Sequence, residues 1–336
     1  MVYCTTVSAM SNPTTTSDPI LPEVKMNLAP PSAPITGRVV SNDMCLKGKS
    51  NSYVRHTEID ITGTAIAGNF IVGQSFGVIA PGVDEKGKPH KVRLYSIACP
   101  KWGEDGQGNV ISTTPKRVLE EYKPQKKTDD QIRHTLFIGV CSNFLCDLNP
   151  GDEVQITGPA GRRFLLPANT ADHDYIFLAT GTGIAPFRGM VKELLENPEG
   201  PCKSQIHLVM GAPYDTDLLY DELFADFATK HDNFHYHTAI SREIRPDGSR
   251  GIYTHHCIDE KIETFRPLLE NERTLIYICG IQGMQTGLYQ VLATNGLSDA
   301  YLTIADDWAD LNPKDWPWAE IKRNVRPTPR CMVEVY

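Results

Sequence analysis

The stretch YIFLATGTGIAPFR, Tyr175 to Arg188, decides the fold. An apolar run ends at Gly181 and Gly183, and Pro186 stands where a helix begins. Proline suits a first helical turn, and a glycine-lined loop lets an anion approach the helix N-terminus. The stretch therefore reads as strand, phosphate-holding loop and helix, with Thr182 and Gly183 as candidate cofactor contacts. The spacing differs from the G-x-G-x-x-G fingerprint, so an ordinary tight turn is the plain alternative.

Working outward, the same alternation continues. PFRGMVKELLEN, TDLLYDELFADFATKH and their neighbours are amphipathic, and QIHLVMG, FHYHTAIS and TLIYICG are short apolar runs between them. Strands alternating with helices predict a parallel sheet covered on both faces. Upstream of the polar PANTADHD the pattern is different. GRVVSND, RHTEIDITG, QSFGVIAPG, KVRLYSIA, HTLFIGVCSN and DEVQITGPAG are short β-like segments broken by Gly and Pro, as in an antiparallel barrel or sandwich. Residues 1–34 are rich in Ser, Thr and Pro and read as a flexible arm. The expected organisation is an arm over 1–34, a β-barrel over 35–168 and an α/β domain over 169–336.

Composition narrows the function. The 336 residues are 40% hydrophobic and 22% charged, as in soluble globular proteins, and no apolar run reaches the ~20 residues of a membrane span. No secretory or transit-like leader is legible, so the expected compartment is the cytoplasm. Nine irregularly spaced cysteines fit core thiols in a reducing compartment, and without a CxxC or further cysteines near Cys141 and Cys146 any redox centre is expected to be organic. A net charge of −8 argues against general nucleic-acid binding. Residues 86–127 run the other way, with ten Lys/Arg against four Asp/Glu, and suit an acidic partner or a phosphate.

Two further segments carry chemistry. In RLYSIA, strand alternation puts Arg93 and Tyr95 on one face, a cation and a planar ring able to pair with a phosphate and stack on a flat cofactor. In YICG, Cys279 ends a strand where open parallel sheets bind ligands, a buried structural thiol being the plain alternative. HHC, His255 to Cys257, lacks the partners of a metal motif and reads as a polar loop, so no metal site is expected. The chain closes on VEVY, a docked strand or a terminal ring with a task.

These segments together resemble the plant-type ferredoxin-NADP reductase family. RLYSIA, GVCSNFLCDL, TGPAG, GTGIAPFR, LLYDELF, ISRE, YICGIQGM, WAEIKR and VEVY match its motifs in order over about residues 35–336. The resemblance implies a FAD-binding barrel, an NADP-binding α/β domain, and electrons passing between NADP(H) and ferredoxin or flavodoxin docked on residues 86–127. It assigns Arg93 to the FAD pyrophosphate, Tyr95 to stacking on the flavin, and Ser96 to a hydrogen bond near its reactive nitrogen. Gly139, Val140, Cys141 and Ser142 would line the FAD phosphates, and Tyr122 would stack on the adenine. Cys279 would meet the nicotinamide, Tyr336 would cover the flavin face the nicotinamide must reach, and Glu334 would relay protons through Ser96. Ser241, Arg242, Arg250 and Tyr253 supply the cationic and hydroxyl donors that a 2′-phosphate requires.

The chain departs from the family pattern in one extra residue between Arg250 and Tyr253 and in a longer acidic, tryptophan-bearing segment over residues 303–317. Two alternatives stay open: the reductase component of an oxygenase system, and a non-catalytic nucleotide-binding module. The sequence does not state an oligomeric state.

Overall fold

The computed structural model describes residues 18–50, 52–121 and 136–336. Its N-terminal half is an antiparallel sheet. The strands are β1 (Ile35–Met44), β2 (Arg55–Asp60), β3 (Ser75–Ile79), β4 (Arg93–Ser96), β5 (Val110–Thr113), the short pair β6 (Leu119–Glu121) and β7 (Leu136–Ile138), and β8 (Glu153–Ala160). Six of them pair in the order β4-β3-β8-β1-β2-β5. Val39, Ile59, Phe76, Val78, Ile111 and Ile156 point inward and form one apolar core, the period-two pattern of a sheet with one covered face.

HTLFIGVCSN is not one strand, as its apolar run suggested. The strand stops at Ile138, and the chain turns at Gly139 into helix α1 (Val140–Asp147). Asn143 explains the turn: its side-chain oxygen accepts from the Val118 amide at 3.1 Å and its amide donates to the Val118 carbonyl at 3.1 Å, which pins the new helix to the barrel.

The C-terminal half contains β9 (Asp174–Thr180), α2 (Ile184–Leu195), β10 (Ile206–Ala212), α3 (Asp221–Lys230), β11 (Phe234–Ile240), α4 (Thr254–Glu260), α5 (Ile262–Leu269), β12 (Thr274–Gly280) and α6 (Gln282–Thr294). Then come β13 (Leu302–Ile304), α7 (Asp306–Ala309), α8 (Trp318–Asn324), β14 (Val325–Pro327) and β15 (Cys331–Val335). Five parallel strands pair in the order β11-β10-β9-β12-β15. β10 and β12 are buried along their whole length, because helices cover both faces. Phe177, Phe187, Met190, Leu208 and Phe224 fill one core and Ile176, Leu178, Phe265, Leu288 and Ile321 the other. The strand order reverses between β9 and β12, and ligands bind at such a switch point.

Two expectations change here. Residues 18–34, read as part of a flexible arm, lie along the barrel: the Ala29 and Gly158 backbones exchange bonds of 2.9 and 2.8 Å, Asn27 donates to the Pro159 carbonyl, and the Ala168 amide donates to Ile20. A Pro-rich segment cannot build its own core, but its backbone can pair with an existing strand. The 303–317 segment is built around packing, with the buried Trp308 and Trp316 rings 5.6 Å apart against the helical face of the core.

Candidate active site at the seam between the two halves

On the barrel side, β4 pairs with β3 so that Tyr95 lies opposite Phe76 and Ser96 opposite Ser75. Arg93 is exposed at the edge, whereas Tyr95 and Ser96 are half-buried. The Tyr95 hydroxyl meets the Cys141 thiol, and that thiol donates to the Val78 carbonyl at 3.6 Å. This chain of contacts brings RLYS and GVCS together, although 46 residues separate Tyr95 from Cys141. Burial raises both groups above their ordinary ranges, so the thiol and the phenol stay neutral.

Gly139 precedes α1, no side chain caps that helix, and no acid stands in its first turn. Its leading N–H groups are therefore available for an anion. A β-carbon on Gly139 would lie 2.7 Å from the Ser142 hydroxyl, so glycine keeps that approach open. Tyr122 lies outside the described residues, as do Lys123, Lys126 and Lys127.

Across the seam, the loop Gly181–Gly183 and the end of β12 lean on one another. A β-carbon on Gly183 would sit 2.2 Å from the Cys279 carbonyl oxygen, so no other residue fits that approach. β15 runs beside β12 in a register that sets Glu334 opposite Cys279. The Tyr336 amide donates to the Gly280 carbonyl at 3.0 Å, and its hydroxyl lies 2.9 Å from the Thr182 hydroxyl. The ring itself is 69% exposed. Cys279 is buried, and desolvation together with the nearby Glu334 holds its thiol protonated. Burial pushes Glu334 up to about 7. Its side chain also lines an open cavity of about 680 Å³, with Arg162, Arg163, Phe164, Pro329 and Met332.

The third part is the loop after β11. Ser241 and Arg242 follow that strand with their amides bonded to the Ala212 and Pro213 carbonyls. Arg250 returns beside Ile244, and Tyr253 is exposed at the head of α4. Among the described residues, no hydrogen bond or ion pair occupies the side chains of Arg242 and Arg250, both exposed. Glu243, the acid next to Arg242, accepts the Asp215 amide at 2.7 Å, and Arg245 pairs with Glu260 at 2.9 Å. The His255 ring stacks behind Tyr253, centroids 5.8 Å apart and 12° between planes. HHC therefore belongs to the first turn of α4 rather than to a loop, and its Cys257 is a core thiol.

With this geometry in view, comparison with known proteins is direct. Residues 177–290 match the family model described as an oxidoreductase NAD-binding domain. The ferredoxin-NADP reductase of Thermosynechococcus vestitus is 36% identical over 318 residues, covering 94% of this chain and 76% of that protein. A chloroplastic root isozyme of ferredoxin-NADP reductase from Arabidopsis thaliana is 37% identical over 298 residues, covering 86% and 76%. The chain belongs to the plant-type ferredoxin-NADP reductase family.

A solved ferredoxin-NADP reductase of Plasmodium falciparum superposes with a TM-score of 0.65 over 93% of this chain and 99% of that one, at 22% identity, a likeness of fold. Within the ferredoxin-NADP reductase fold, the barrel groups gather at β4 and α1, Thr182, Cys279, Glu334 and Tyr336 gather at the switch point, and the third set stands apart at the β11 loop. None of the described hydrogen bonds joins Ser96 to Glu334; Ser96 instead accepts the Thr113 hydroxyl on its backbone carbonyl. The residues present suit FAD: an exposed guanidinium at Arg93, a half-buried ring at Tyr95 and an uncapped helix end at Gly139. The sequence reading missed Arg162 and Arg163, both exposed on the cavity that Glu334 lines. They directly follow TGPAG, and their adjacent charges were the available signal.

Proposed function

We propose that this chain is a FAD-containing reductase that exchanges electrons between NADPH and a one-electron carrier, ferredoxin first. One observation carries the reading: Thr182, Cys279, Glu334 and Tyr336, drawn from three separate segments, meet at the switch point of the parallel sheet. A binding module has no use for a raised carboxyl, a buried thiol and an exposed terminal ring in one place. FAD, when bound, supplies the exchange between a two-electron donor and a one-electron acceptor.

The chain's own residues do the rest. Arg93 and the Val140, Cys141 and Ser142 amides hold the pyrophosphate, and Tyr95 gives one face of the ring system a stacking surface. Tyr336 would cover the other face and yield to the nicotinamide, for which Cys279 would be the contact. Glu334, its carboxyl raised to about 7, takes up and releases a proton near neutral pH and relays it towards Ser96. Ser241, Arg242 and Arg250 grip the 2′-phosphate that separates NADPH from NADH, and Tyr253 stacks on the adenine. Glu243 does not oppose that phosphate, because its carboxylate is turned to Asp215.

The carrier docks on the basic segment. Lys86, Lys88 and Lys91 are all exposed along it, whereas Lys101 is held by Glu193 and Arg117 by Asp147. No helix among the described residues is long and apolar enough to cross a membrane. The test is to purify the protein, release and identify its bound chromophore, and assay NADPH-dependent reduction of a plant-type ferredoxin. Released FAD and ferredoxin reduction that falls with added salt support the reading. A protein that neither carries nor takes up FAD overturns it.

A further inference from the structure

We infer that Arg188 is a positioning residue for hydride transfer, the centre of a buried clasp that sets the nucleotide loop against the flavin strand. The inference rests on the reductase reading above. Arg188 lies on α2, the helix that the Gly181–Gly183 loop begins, and its side chain reaches across the seam. One guanidinium nitrogen donates to the Ala98 carbonyl at 2.9 Å, two residues beyond Ser96. The same nitrogen and its neighbour grip the Glu104 carboxylate from the barrel, the second bond at 3.3 Å. Both side chains are about nine-tenths buried. Glu104 also accepts the Ser112 hydroxyl at 2.6 Å on β5.

A second arm crosses beside the first. Tyr220, at the head of α3, has a left-handed backbone, φ +57°. Its hydroxyl meets His56 Nδ1 at 2.8 Å and the Thr114 hydroxyl at 2.6 Å, and the Arg188 guanidinium stands 5.3 Å from its ring centre. His56 Nε2 faces Glu104 at 3.5 Å and Glu58 at 3.6 Å. The two domains are therefore joined by Arg188 and Tyr220 on one side and by His56, Glu104 and Thr114 on the other. His56, Glu58 and Glu104 also have the spacing of a cation site. Arg188 and Lys192 both pair with Glu104, and Glu58 faces the His56 ring, so both carboxylates already have partners within the clasp.

A buried ion pair adds little net stability over an apolar pair of the same size. What it adds is direction, because a planar fork on a carboxylate permits one orientation. A left-handed non-glycine residue is a strained conformation that persists only when its surroundings over-determine it. The ion pair ties the segment that follows the Tyr95 strand to the helix that follows the Thr182 loop, and Tyr220 packs against its guanidinium. Transfer between two bound groups is sensitive to displacements of about 1 Å. None of the clasp residues belongs to the proposed nucleotide grip at Ser241, Arg242, Arg250 and Tyr253.

The test compares wild type with Arg188→Met, Arg188→Lys and Glu104→Gln. For each, bound FAD, the dissociation constant of 2′-phospho-AMP, the melting temperature, and the stopped-flow rate of flavin reduction at saturating NADPH are measured. The clasp predicts FAD retention and 2′-phospho-AMP affinity within twofold in all variants. Reduction slows at least tenfold in Arg188→Met and in Glu104→Gln, with partial recovery in Arg188→Lys. Rates within twofold of wild type, with only melting lowered, overturn the inference. If Arg188→Met fails to fold, the isosteric Glu104→Gln and conservative Arg188→Lys decide on the same criterion. A wild-type protein that NADPH does not reduce instead overturns the reductase reading itself.

Discussion

The hydroxyls of Thr182 and Tyr336 lie 2.9 Å apart although 154 residues separate them. One belongs to the glycine loop after β9, the other to the last residue of the chain. A ring held through its hydroxyl at Thr182 and the Gly183 backbone and by one amide bond to Gly280, with its face exposed, is displaced at modest cost, since such bonds are each worth about 1 kcal/mol net. Removing the ring in Tyr336→Ser is expected to tighten NADP⁺ binding about tenfold and to slow turnover, because the nicotinamide no longer has to displace it. Difference spectroscopy with NADP⁺ reads the affinity, and unchanged affinity would sink the lid role.

Among the described residues, no partner holds the exposed side chains of Arg242 and Arg250 on the loop that begins at Ser241. Charged hydrogen bonds contribute about 1.5–3 kcal/mol each, so Arg242→Ala is expected to raise the Michaelis constant for NADPH roughly 10–100-fold. NADH, without the 2′-phosphate, should be nearly unaffected. Steady-state kinetics with both nucleotides decide it; equal loss for both places the phosphate elsewhere.

Glu334 titrates at about 7 in the fold, above the ordinary carboxyl range, because it is buried. A group with a raised folded value binds more protons in the folded state. The stability linked to it is complete below the ordinary carboxyl value and is lost as pH rises towards about 7. Glu334→Gln should therefore raise the urea midpoint at pH 8 and leave it nearly unchanged at pH 4.5. The same variant should lose an inflection near pH 7 in carrier reduction. A wild-type profile that is flat between pH 6 and 8 contradicts this assignment.

His207 and His237 show the opposite sign. Their rings stack on β10 and β11, with His207 Nδ1 3.2 Å from His237 Nε2, and burial lowers them to about 3 and about 4. Lys261 faces His237 Nδ1 at 3.2 Å and can only donate, so the proton on His237 sits on Nε2 and points to His207. Folding stability linked to the pair is complete above the ordinary histidine range near 6.5 and drains as pH falls towards those values. Denaturant midpoints should fall steeply between pH 6 and 4, and less steeply in His237→Gln. Identical slopes would remove the pair from the acid response.

Much of this architecture was legible in order of sequence locality. YIFLA into GTG is readable because strand, loop and helix are contiguous, and parallel strands buried on both faces show as unbroken apolar runs. The helical turn after Ile138 was hidden because Asn143 fixes it through Val118, 25 residues away. Residues 18–34 look structureless by composition, yet their order comes from pairing with residues 158 and 159. The tie between Thr182 and Tyr336, the turning of Glu243 to Asp215 and the Arg188 clasp depend on which distant segments meet. No local pattern carries that information.

The most direct measurement is an anaerobic titration of the purified, FAD-loaded protein with NADPH and, separately, NADH, following the visible flavin absorbance. The account predicts bleaching by near-stoichiometric NADPH and by NADH only at concentrations at least tenfold higher. A flavin that neither nucleotide reduces, or that both reduce equally, would contradict it.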